Sequence, residues 1–264
     1  MTIMASYAVL GAFVGIMAGL LGVGGGLIIV PVLVYLWQSQ GLAGDQVVQL
    51  AIGTSLATIV LTSISSVWSH HRHGSVQWPI FWRLVPGILL GAWLGATIAT
   101  QLPGAALKRV FGIFELLMAA QMAFGVRPAS HRRLPGVLGV GLAGTVIGSV
   151  AAIVGIGGGV LTVPFLTWCN VRIQQAVATS AACGLPIAMG GALAYVVLGW
   201  GHAQLPTGAA GYVYGPALLG IVITSMLFAP LGAALSRRLS TLMLKRVFAL
   251  FLVALGLWML APQL

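Results

Sequence analysis

The chain has 264 residues, of which 59% are hydrophobic and only 5% charged. A soluble domain carries about a quarter charged residues to cover its surface, so this composition excludes a water-soluble globule and selects an all-α integral membrane protein. The formal charge of +10 does not imply nucleic-acid binding, because the basic residues are scattered between apolar segments and form no stripe.

The first apolar run covers about 4–37 and is broken by Gly24, Gly25 and Gly26, with Pro31 beyond. Its start lacks the basic region of a cleaved signal peptide and reads as part of the mature chain. Gly11, Gly15 and Gly19 form a small-xxx-small ridge suited to close helix packing. The run is too long for one span and short for two, so a re-entrant helical hairpin is expected, entering and leaving on one side. A glycine break frees backbone N–H groups and starts a short helix with its positive dipole end at mid-membrane, where it attracts an anion. The bland alternative is a tight turn that serves packing. A side chain at Gly25 is expected to crowd the tip and to restrict the backbone angles that glycine permits.

Three spanning helices follow at about 46–70, 79–101 and 105–125. Thr54 and Ser55 lie a third of the way into the first. Their hydroxyls can donate to anion oxygens, or bond back to carbonyls one turn earlier. The cluster His70, His71, Arg72, His73 reads as a solvated loop, since no cysteine or carboxylate lies nearby to complete a metal site. Arg83, after Pro79, either guides an anion at the mouth or snorkels to the interface. Glu115 is the only carboxylate deep in a span. It carries a gating or proton-coupling role, or is the structural partner of Lys108, seven residues earlier on the same face.

A polar linker at 126–135 leads to a second broken run, about 136–168, interrupted by Gly157, Gly158 and Gly159 and followed by Pro164. Gly139, Gly141 and Gly144 spell GxGxxG, but no strand precedes them and no acidic residue follows, so no dinucleotide site is read. Spans at about 172–199, 208–235 and 240–261 complete the chain, the first holding Thr179 and Ser180. Cys169 and Cys183 lie in or beside apolar runs and suggest neither a disulfide framework nor a metal site. Trp37, Trp78, Trp82, Trp200 and Trp258 fall near span ends, as interface anchors do.

The two halves repeat. GVGGGLIIVPVL from Gly22 recurs as GIGGGVLTVPFL from Gly155, AIGTS from Ala51 as AVATS from Ala176, and LKRVF from Leu107 as LKRVF from Leu244. This divides the chain into a first membrane repeat, 1–125, the linker 126–135, and a second repeat, 136–264. Charge placement orients them. If each broken run crosses once, Arg72, Arg83, Arg127, Arg132 and Arg133 oppose the remaining basic residues with no bias. If each run returns to its own side, only Lys108 and Arg109 oppose all the rest, as the positive-inside rule prefers. That leaves three crossings per half and inverted repeats, with a cytoplasmic linker and both termini extracytoplasmic.

The doubled GxGGG with VP four residues on, each leading to a TS-containing span, resembles the sulfite exporter TauE/SafE family over essentially the whole chain. The resemblance implies transport of sulfite, sulfoacetate or related organosulfur anions across the bacterial inner membrane, and no enzyme activity. It implies that Gly24–Gly26, Gly157–Gly159, Pro31, Pro164, Thr54, Ser55, Thr179 and Ser180 neighbour the substrate. The expected function is a secondary transporter, an exporter working by alternating access around a mid-membrane anion site. An importing or channel-like permease for another solute, or a non-transporting assembly factor, are the competing readings. Expected partners are a small organosulfur anion and the lipid bilayer, not nucleic acid; a homodimer is compatible. With two carboxylates in the chain and no nucleophile–base–acid set, neither catalysis, a metal nor a cofactor is expected.

Overall fold

The computed structural model describes residues 2–21, 25–42, 44–72, 74–124, 134–202, 204–236 and 241–261. Gly24, His73, most of the linker with Arg127, Arg132 and Arg133, and the pair Arg237 and Arg238 lie outside the described residues. In chain order the elements are α1 (Thr2–Leu21), α2 (Gly26–Gln38), a 3-10 turn (Gly44–Gln46), α3 (Val47–Arg72), α4 (Trp78–Gln101), α5 (Gly104–Phe124), α6 (Val137–Val154), α7 (Gly159–Trp168), α8 (Ile173–Leu198), a small antiparallel hairpin of β1 (Ala209–Ala210) and β2 (Val213–Tyr214), α9 (Gly215–Ser236) and α10 (Thr241–Leu260).

Among the described residues, six helices are long and apolar enough to cross a membrane: α1, α3, α4, α6, α8 and α9. This differs from the expected set. The 20 residues of α1 rise about 30 Å, the thickness of a hydrocarbon core. Each broken run is therefore one helix of spanning length, α1 or α6, followed by a short one, α2 or α7. By contrast α5 carries Lys108, Arg109 and Glu115, and the apolar stretch of α10 covers only Arg246–Leu260. The first run does return along itself. Gly25 lies against Val14, halfway along α1, and Trp37 near the end of α2 donates its indole N–H to Tyr7 OH near the start of α1 at 2.8 Å.

Packing joins the halves by exchange. α1 lies along α9, and its equivalent α6 lies along α4. The glycine ridges make this possible, because helices without a Cβ at the contact approach backbone to backbone. Gly15 sits on the Ser225 carbonyl and Gly148 on the Ile88 carbonyl, which are matching positions of α9 and α4. Gly144, the last glycine of the GxGxxG string, packs on the Leu84 carbonyl in the same way. α3 and α8 meet at the centre, and α5 packs on α10.

Two contacts between equivalent helices differ. Parallel helices α8 and α4 stay together, with Gly190 against Leu89 and Ala92. Their equivalents α3 and α9 part beyond Thr54, leaving an apolar cleft of about 440 Å³ lined by Leu61, Ile64, Ser65, Trp68, Val222 and Met226. Ser65 and Met226 occupy the positions that Gly190 and Leu89 occupy in the closed pair.

Candidate functional site

The two glycine breaks meet at the centre of the fold. A Cβ on Gly26 would strike the Gly155 carbonyl, with Ile156 Cα at 3.0 Å, so the start of α2 rests on the end of α6. Gly155 ends α6 in the left-handed region, φ +73°, and its Cβ position is 3.1 Å from side-chain atoms of both Ile52 and Val30. Glycine is needed there for its backbone angle. At Gly25 and Gly158 it is not: their φ values of −78° and −60° are ordinary helical ones. The expectation of special angles at those positions is corrected, and space is the constraint instead. At Gly158 a Cβ would lie 2.7 Å from the Ser180 carbonyl and 2.9 Å from Gly184 N, both on α8. Gly159 opens α7, and Pro31 and Pro164 lie inside α2 and α7, past their first turns.

The four hydroxyls of the two repeated Thr-Ser pairs are all fully buried but used differently. Thr54 Oγ1 donates to the Leu50 carbonyl at 2.7 Å and accepts the backbone N–H of Tyr214, immediately before α9, at 2.9 Å. Thr179 Oγ1 accepts the N–H of Gln77, immediately before α4, at 2.9 Å. Each threonine thus ties down the start of a helix from the other half. Ser55 donates to the Gly155 carbonyl at 2.9 Å. Ser180 Oγ has no hydrogen-bond partner among the described residues.

Glu115 and Lys108 do not meet. Glu115 is fully buried and neither carboxylate oxygen has a partner among the described residues, while Lys108 Nζ lies over the Trp258 ring, 4.4 Å from its centroid. The ion pair considered from their spacing is absent. Arg83 is exposed near the start of α4 beside exposed Trp82, and is not brought to the glycine breaks.

Three features were missed from sequence. Trp37 is not an interface anchor but wholly buried, held by Tyr7 and by the Tyr214 ring 5.6 Å away. The β1–β2 hairpin plugs the end of the α3–α8 pair: Tyr212 N–H bonds the Tyr195 carbonyl at 3.1 Å, and the Tyr212 carbonyl rests on Gly53. Thr162 on α7 is buried, and its hydroxyl has no partner among the described residues. Its signal was available, since it is the polar residue where the first motif has Ile29.

The sulfite exporter TauE/SafE family model matches residues 7–259. The chain belongs to the sulfite exporter TauE/SafE family. A "Probable membrane transporter protein" of Haemophilus influenzae is 36% identical, the match covering 94% of each chain. "Probable membrane transporter protein YunE" of Bacillus subtilis is 26% identical, again over 94% of each. A relative from Methanocaldococcus jannaschii, also named a probable membrane transporter, is 26% identical over 96% of this chain and 93% of its own. No solved structure matches. Together with six apolar helices of spanning length, this makes the TauE/SafE chain a multi-pass membrane transporter.

Proposed function

We propose that this transporter is an exporter of sulfite or a small organosulfur anion across a bacterial inner membrane, working by alternating access around a site between the two glycine breaks. The observation that carries the reading is the meeting of those breaks: the start of α2 rests on the chain that leads into α7, beside α3 and α8, and the opening N–H groups of a helix lack carbonyls one turn earlier. Helix N-termini attract anions. No Lys, Arg or His occurs in α2, α7 or α8, and those of α3 are confined to its last turn. Selectivity then comes from dipoles and hydrogen bonds, which desolvate an oxyanion without trapping it. An inside-negative potential drives a monovalent anion outward by about 2.3 kcal/mol per 100 mV, so no coupling ion is obligatory.

The closed α4–α8 contact and the parted α3–α9 contact support alternating access, since equivalent interfaces in two conditions are what one end state of an inverted repeat would contain. The charge distribution supports inversion, with the linker inside and both termini outside. Proteoliposomes containing the purified chain, with an imposed potential, test the function. Sulfite, sulfoacetate, thiosulfate and sulfate are assayed in turn. At least one should move toward the positive side faster than in protein-free vesicles; no flux of any of them sinks the reading.

A further inference from the structure

The two halves offer equivalent backbones around their breaks, yet their side chains differ at three matched places. Ser55 is committed to the Gly155 carbonyl, whereas Ser180 is buried with no partner among the described residues. Ile29 on α2 is matched by Thr162 on α7, also buried and also unpartnered. Ile59 on α3 is matched by Gly184 on α8. The Ile59 side chain fills space, with Cγ2 3.5 Å from the Cβ position of Gly157. At Gly184 that space is left open: apart from its own helix, the only described atom within 4 Å of its Cβ position is Gly158 N, at 3.4 Å.

These differences point one way. A buried hydroxyl without a partner is costly, and two of them flank the start of one ten-residue helix. Ser180 and Gly184 are one turn apart on α8, and both border Gly158. Thr162 N–H bonds the Gly158 carbonyl at 3.0 Å, which sets it one turn into α7. The glycine at 184 keeps a side chain away from the Gly158 nitrogen.

Resting on the transport reading above, we infer that the oxyanion is held by the second half rather than shared equally: by N–H groups at Gly157–Gly159, by the Thr162 and Ser180 hydroxyls, in the space Gly184 leaves. The ligand class is a small anion with several acceptor oxygens, because both uncommitted hydroxyls and the N–H groups of the break can donate. The first half supplies a wall, with Ile29 and Ile59 at the matching positions.

The test is isothermal titration of detergent-purified protein with sulfite, thiosulfate and sulfate, alongside thermal melting. Thr162→Val and Ser180→Ala should each raise Kd at least about tenfold, the effect of removing one hydrogen bond to a charged ligand. Their melting temperatures should hold or rise, since each loses an unpartnered buried hydroxyl. A structural role would lower melting and spare Kd. Gly184→Ala should also weaken binding, and Thr167→Val, whose hydroxyl bonds the Val163 carbonyl on the same helix, should not. Wild-type Kd in Thr162→Val and Ser180→Ala overturns the assignment to the second half while leaving the transport reading intact. A wild-type protein that neither binds nor moves any of the anions overturns both.

Discussion

Thr54 on α3 accepts the backbone N–H of Tyr214 at 2.9 Å, tying the start of α9 to a helix 160 residues earlier. Thr179 does the same for Gln77 and the start of α4. In each half a hydroxyl near the central site therefore holds the first turn of a helix from the other half. That helix lies in contact with the threonine's own at one interface and parts from it at the other.

Removing either tie leaves a backbone N–H without its acceptor. Thr54→Val and Thr179→Val should each destabilise the fold by about 1–3 kcal/mol, and Thr→Ser at either place should recover most of it. Thermal melting in a fixed detergent measures this. Unchanged melting in both valine variants would mean that water satisfies these groups.

The parted pair should close during transport. A Leu89→Cys, Gly190→Cys double variant should oxidise readily in the state seen here, and its flux should fall until a reductant is added. An Ile64→Cys, Met226→Cys variant should cross-link only when α3 and α9 come together, and a transported anion should change its rate. No cross-linking of the Ile64→Cys, Met226→Cys pair, with or without a transported anion, would show the cleft to be a static lipid-facing groove.

Glu115 has no hydrogen-bond partner among the described residues, and its matching residue in the second half is Leu252, also fully buried. Replacing an unpaired buried polar group by an apolar one of similar size is neutral or stabilising. Glu115→Leu should therefore keep or raise the melting temperature. If the carboxyl carries a proton during transport, Glu115→Gln should flatten the pH dependence of flux at unchanged stability. A lowered melting temperature in both variants would reveal a structural partner.

Crowding should be unequal at the two breaks. At Gly158 an added Cβ meets backbone atoms of Ser180 and Gly184, but at Gly25 its nearest neighbour is the Val14 side chain, which can rotate away. Gly158→Ala should lower melting more than Gly25→Ala, by about 1–3 kcal/mol of overpacking. Gly148→Val should be worse than either, because the Ile88 carbonyl backbone lies in its path. Equal melting of the two alanine variants would contradict this.

Orientation is open to direct labelling. Single cysteines at the N-terminus, the C-terminus and the Gly199–Gly208 loop should react with an impermeant reagent added to intact cells. One near Arg132 should react only after lysis. Termini on opposite faces would end the inverted arrangement.

Much of this was legible before folding. The apolar composition, the doubled GxGGG and the TS segments are local properties, and they led to the membrane class, the family and the residues that meet at the centre. The misjudgements share a cause. Lys108 and Glu115 share a helix face by spacing, but a ring from α10 takes the lysine. Trp37 lies at a helix end in sequence, yet α2 folds back along α1, so Tyr7 and Tyr214 cover its ring. Total length pointed to runs that double back, as the first does, but it does not reveal how the two arms divide that length.

Sequence by itself determined that the chain resides in a bilayer, that it is doubled, and that glycine interrupts each half at the same point, because each depends on residue type and spacing along the chain. Tertiary structure alone decided which hydroxyl is committed and which is not, which of two equivalent helix pairs is closed, and which half leaves room at its break. These depend on atoms brought together across a hundred or more residues, as with Ser55 and the Gly155 carbonyl. Two repeated segments can then keep one contact, as Thr54 and Thr179 do, and differ in another, as Ser55 and Ser180 do.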